Sequence, residues 1–73
     1  MVIESIRQFN AAIPFSPYEI HLADGRMFAI PHPDFISISP KGSYIVVIDS
    51  NERPWHISSL LISSVSPLAV GAR

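Results

Sequence analysis

The sequence predicts a mainly β fold, a short N-terminal α-helix followed by a small, strongly bent, five-stranded antiparallel barrel. Three observations carry that reading. The hydrophobic period changes from helical to two after Pro17. Asp24-Gly25 lies between two alternating apolar runs, the strongest short-range hairpin signal. Beyond it, strand-type runs recur between turn residues at close spacing as far as Pro67, which is the pattern of a small barrel. The 73 residues make one domain, with the helix at 2–12, the barrel over 18–67 and a loose C-terminal tail at 68–73.

The helix rests on Val2, Ile6, Phe9 and Ile13, which recur at steps of four, three and four and line one face. Glu4 near its start agrees with the helix dipole, and Pro14 and Pro17 end it. About three turns with one apolar stripe are not stable alone, so the helix must lie on the sheet or on a neighbouring copy. In the first strand Tyr18, Ile20 and Leu22 share one face, and Glu19 and His21 the other. Asp24-Gly25 suits a type I′ turn into a second strand carrying Phe28 and Ile30. Pro31-His32-Pro33 then interrupts the ladder, because proline has no N–H to donate.

A third strand begins at Phe35 and turns at Pro40-Lys41-Gly42. The continuous run Tyr44 to Ile48 predicts a strand buried on both faces. Arg53 to Ile57 is a short run demoted toward an edge by Pro54, Ser58 to Leu61 fits one helical turn, and Ile62 to Pro67 is the last strand.

Composition narrows the function classes. Hydrophobic residues make up 48% of the chain and charged ones 15%, an apolar surplus that points to burial between copies. The net charge of −1 comes from scattered single charges, so the monomer lacks the clustered cations that grip phosphates, although a ring of copies could gather Arg26, Lys41 or Arg53. Without cysteine there is no disulfide or thiolate metal site. His21, His32 and His56 match no short metal motif, no Gly-x-Ser-x-Gly elbow occurs, and Asp24, Asp34 and Asp49 sit where aspartates cap turns. A non-enzyme without a cofactor is therefore expected. No run spans a bilayer and no secretory signal opens the chain, which makes a cytoplasmic protein with no membrane association the expectation.

Two places could carry contacts. Pro31 to Phe35 could present His32 on a rigid loop, or simply bend the sheet with Phe35 in the core; the bend is the favoured reading. Arg53, Trp55 and His56 form the leading candidate contact surface, with Trp55 alternatively covering one end of the barrel.

Pro14 to Tyr18, Ile20 to Arg26 (Ile-His-Leu-Ala-Asp-Gly-Arg), Pro31 to Phe35 (Pro-His-Pro-Asp-Phe) and Ile62 to Val65 together resemble a group of short uncharacterised bacterial proteins. That resemblance covers most of the chain and implies no assigned activity. The order of a short helix, a bent sheet and a closing Ile-Ser-Ser-Val-Ser-Pro also resembles the SH3/Sm-like barrel of the Hfq-type RNA chaperones. This second resemblance implies a ring-shaped oligomer with RNA on its faces. The chain departs from it where RNA is read, with Ser37 in place of a base-contacting Asn and Ser59-Leu60 in place of Lys-His. His56 lies four positions ahead of the expected histidine. The expectation is thus a self-associating interaction or scaffold module with an unknown protein partner, the alternative being an Sm-like RNA-binding protein.

Overall fold

The structure, a computed structural model, describes residues 2–68. Helix α1 (Val2–Ala11) is followed by β1 (Tyr18–Leu22), β2 (Met27–Ile30), a 3-10 turn (Pro33–Phe35), β3 (Ile36–Ile38), β4 (Tyr44–Ile48), β5 (Pro54–Ser58), a second 3-10 turn (Ser59–Leu61) and β6 (Ile62–Pro67). These strands form two antiparallel three-stranded sheets, ordered β2-β1-β6 and β3-β4-β5. The expected five-stranded barrel is thereby corrected: there are six strands among the described residues and the sheets do not close on each other.

The correction has a local cause. At Pro31-His32-Pro33 the chain folds into a 3-10 turn, where the His32 ring nitrogen accepts from the Asp34 N–H and the Ile36 N–H closes onto the Pro33 carbonyl. β2 and β3 consequently belong to different sheets rather than to one bent strand pair. The return crossing repeats the device, with the Ser58 hydroxyl accepting from the Leu60 N–H and the Ile62 N–H returning to the Ser59 carbonyl. The bend reading of Pro31 to Phe35 matches this geometry, and Phe35 packs against the core.

Alternation in β1 buries Tyr18, Ile20 and Leu22, as their spacing predicts. Ile30 lies opposite Tyr18, and Ile62 lies opposite Leu22. Ile36, Ile45, Val47 and Ile57 face them from the second sheet, so one core is shared by both sheets. β4 departs from its sequence reading: Ile45 and Val47 are buried, but Val46 and Ile48 are only half-buried and Tyr44 is exposed. Among the described residues no layer covers its second face.

Helix α1 packs on its own chain and seals that core with Ile3 and Ile6, both buried. Full burial of such side chains stabilises by about 1.5–3 kcal/mol each, which a ten-residue helix needs, since alone it is marginal. Val2 and Phe9 pack beside them, whereas Ile13, expected on the same stripe, is 96% exposed because the helix ends two residues before it. The N-terminal turns rest on the β3–β4 loop: a Cβ on Gly42 would stand 3.2 Å from the Ile3 side chain. At the other end Phe9 stacks on Tyr18 at 5.1 Å, and the buried Tyr18 hydroxyl donates to Asn10 at 3.0 Å. Of the expected C-terminal tail, Leu68 still donates to the Pro17 carbonyl, and 69–73 lie outside the described residues.

The hairpin at Asp24-Gly25 is present in a different form from the one expected. Only Gly25 has a positive φ, at 95°, and its N–H donates to the Leu22 carbonyl, so Ala23 and Asp24 are the central turn residues. This is the three-residue hairpin loop that ends in a left-handed residue. The β4–β5 loop is built alike, with Glu52 N–H donating to the Asp49 carbonyl and Glu52 at φ 62°. A left-handed residue carrying a side chain costs about 1–2 kcal/mol.

Gly25→Ala should therefore destabilise the protein by about 1 kcal/mol, although no atom lies where the new Cβ would sit. Glu52→Gly should stabilise it by about 0.5 kcal/mol, the left-handed gain being partly offset by the freer unfolded chain. Urea titration followed by Trp55 fluorescence measures both, and equal midpoints for all three proteins would refute the loop assignment. Tyr18 supplies a second test, since burial pushes its phenol up from 10.0 to about 12. Its contribution is complete below pH 10.0 and lost as pH rises through about 12. Tyr18→Phe should flatten that alkaline loss, while costing about 1 kcal/mol at neutral pH by orphaning Asn10.

Candidate functional site at the parting of the two sheets

Asp49 organises the β4–β5 hairpin. One carboxylate oxygen accepts from the Asn51 N–H at 2.8 Å and the Arg53 N–H at 3.0 Å, which is the turn-capping role its position predicts. The other accepts from the Trp55 indole N–H at 2.9 Å. These bonds, the indole's first and then the Arg53 N–H, hold the Asp49 carboxyl below its ordinary 3.8. They also fix the Trp55 ring, which tilts against Phe28 of β2 at 5.5 Å and 55°. Trp55 thus bridges the two sheets where they diverge, with 39% of its surface still exposed.

Beside this bridge a cleft of about 290 Å³ opens between β2 and the end of β4. Met27, Phe28 and Ala29 form one wall, Val47 and Ile48 the other, and Phe35 of the first 3-10 turn lies between them. The opening follows from the topology. β3 pairs with β4 only as far as Ile36 opposite Val47, because the chain has already left for the 3-10 turn. Met27 is 59% exposed at the cleft mouth.

The four residues singled out from sequence do not make one surface. Trp55 lies opposite Val47 and turns toward Phe28, while its neighbour His56 lies opposite Val46 on the other face of the sheet. Arg53 sits in the loop, where its main chain pairs with Asp49. His32 caps the first 3-10 turn, 3.5 Å from the Asp34 carboxylate and 6.4 Å from the Phe15 ring. Sequence reasoning missed Met27, Phe28 and the second role of Asp49. The available signal was Met27, an apolar residue at the alternation phase of a solvent-facing position.

Several of the remaining charged groups pair locally. His21 pairs with Glu19 at 3.0 Å on the outer face of β1. Arg26 grips Asp24 with 2.9 Å contacts, the side-chain hydrogen bond being the main cause of that carboxyl's lowered pKa. Arg7 lies 3.8 Å from Glu4. Among the described residues no group of three His, Cys, Asp or Glu is placed to hold a metal ion, and no helix is long and apolar enough to cross a membrane. Comparison of the chain with protein-family models, with curated proteins and with solved structures finds no match in any of the three.

Asp49→Asn tests the bridge. A carboxyl held below its unfolded value contributes stability that is present above pH 3.8 and lost as pH falls through the lower, folded value. The variant should therefore unfold at lower urea than the parent at neutral pH, and the difference should shrink on acidification below that range. A difference that stays constant with pH would detach Asp49 from the Trp55 anchor.

Proposed function

We propose that this chain is a non-catalytic, self-associating small β module, an interaction or scaffold unit whose contact surface is the cleft where the two sheets part. The observation that supports this most directly is that apolar cleft, walled by Phe28, Val47 and Ile48, with Met27 exposed at its mouth. Exposed apolar surface of this kind is costly in an isolated monomer and favours association. The overall balance of 48% hydrophobic to 15% charged residues supports the same reading. Phosphate binding would need clustered free cations, and Arg7 and Arg26 are paired with Glu4 and Asp24, which leaves Lys41 and Arg53 as the cations without an ion pair among the described residues.

Light scattering and sedimentation over a concentration series test the proposal. The expected mass is a multiple of 8.1 kDa that falls on dilution, with quenching or shift of Trp55 fluorescence on association. A strict monomer at every concentration would overturn it. Nucleic acid that copurifies at low salt and leaves at high salt would replace it with the Sm-like RNA-binding reading.

A further inference from the structure

Each sheet has two edge strands, and three of the four are guarded. β6 bulges at Ser63, whose hydroxyl is tied to the His21 carbonyl, ends in Pro67 and has α1 packed against it. β3 is only Ile36–Ile38 long and faces Arg7, Asn10 and Ala11 of α1 across an open cleft. β5 starts with Pro54 on its free edge. Such bulges, prolines, short lengths and covers are how proteins keep strand edges from pairing. β2 is the least guarded: it is only one residue longer than β3 and Pro31 follows it, but Met27–Ile30 itself holds no proline, no charge and no register shift against β1.

Its free main-chain groups can be placed from the register. The Leu22 N–H donates to the Arg26 carbonyl, and Ile20 lies opposite Phe28. Hydrogen-bonded and non-bonded pairs alternate along an antiparallel ladder, so Ile20–Phe28 and Tyr18–Ile30 are bonded pairs. The N–H and C=O groups of Met27 and Ala29 accordingly point away from β1, and among the described residues they take part in no other hydrogen bond.

We infer that two copies of this chain pair antiparallel through β2, on a two-fold axis at Phe28, so that Met27 of each lies opposite Ala29 of the other. The inference rests on the self-association reading and supplies its geometry. The edge is self-complementary: its two outward residues flank one central residue, so a two-fold through Phe28 brings donor to acceptor in both directions at each Met27–Ala29 pair. Facing residues of an antiparallel pair share a sheet face, so Phe28 of the second copy lies over the cleft beside Phe28, Phe35 and Val47. The loop charges raise no objection, because Arg26 and Asp24 neutralise each other within each copy. Pairing produces one continuous sheet in the order β6-β1-β2-β2-β1-β6 and removes the least guarded edge.

Two variants test this on the full chain. Ala29→Pro deletes an N–H that points outward and serves no bond within the monomer. It should weaken self-association by about tenfold or more in sedimentation. In the double variant Met27→Cys/Ala29→Cys the facing positions should lie about 5.5 Å apart between Cα atoms, within disulfide reach. The native chain has no cysteine, so oxidation should give a covalent dimer without background, and His56→Cys on the β5 edge should not. If Ala29→Pro fails to fold, as read from Trp55 fluorescence, the cross-link alone decides. If the parent self-associates but Ala29→Pro leaves it unchanged and the double variant cross-links no faster than His56→Cys, the β2 pairing is wrong and the self-association reading stands. A parent that is monomeric throughout removes both.

Discussion

Two three-stranded sheets, each apolar on one face, have to be buried against each other, and nearly every other feature of this chain answers to that constraint. Neither sheet is large enough to keep a core of its own. The shared interior is built mainly from isoleucine, with Ile20, Ile30 and Ile62 from one sheet meeting Ile36, Ile45 and Ile57 from the other. β-branched side chains suit this task because they present a stiff apolar surface on a pleated strand. The sandwich is open at its ends, and the helix exists to close one of them. Ile3 and Ile6 enter the core, and the Phe9–Tyr18 stack and the Tyr18–Asn10 bond fasten the helix to β1.

The open end that the helix does not reach is where the functional reading lies. Both crossings between the sheets are short 3-10 turns capped by a side chain, His32 at one and Ser58 at the other. The first of these takes the chain away from β4 early and leaves β2 with β1 as its only strand neighbour among the described residues. Trp55 spans part of the resulting gap, held by Asp49 and set against Phe28. What stays open is a cleft lined by Phe28 and Phe35 beside a strand edge whose outward main-chain groups are unpaired among the described residues. A monomer leaves that combination in water.

Much of the fold was legible in the residues. The phase of β1, the break at Pro31-His32-Pro33, the hairpin at Asp24-Gly25 and the single turn at Ser59–Leu61 all follow from alternation, proline chemistry and turn preference. The errors also have physical sources. A type I′ turn was expected because Asp-Gly favours it, but the strand register placed Ala23 and Asp24 at the centre and left Gly25 alone with positive φ. The run Tyr44 to Ile48 looked buried on both faces since apolar composition cannot say whether a second layer exists. Ile13 fitted the helical period but lies beyond the last helical residue. Within the proposed contact trio Trp55 and His56 point to opposite faces of β5, because neighbours in a strand alternate, which sequence adjacency hides.

The sequence by itself determined the class of fold, the location of its breaks and which side chains of β1 face inward, because these depend on local backbone preference and on periodicity. Only the tertiary structure decided how many sheets form, which edges are covered and which apolar residues remain in contact with water. Those outcomes depend on what lies across space from each strand. Asp49 illustrates the division: its turn-capping role is local and readable, whereas its hold on Trp55 exists only once β4 and β5 are paired. The same holds for β2, an ordinary half-buried strand in sequence that becomes the exposed edge only when the chain leaves the sheet at Pro31.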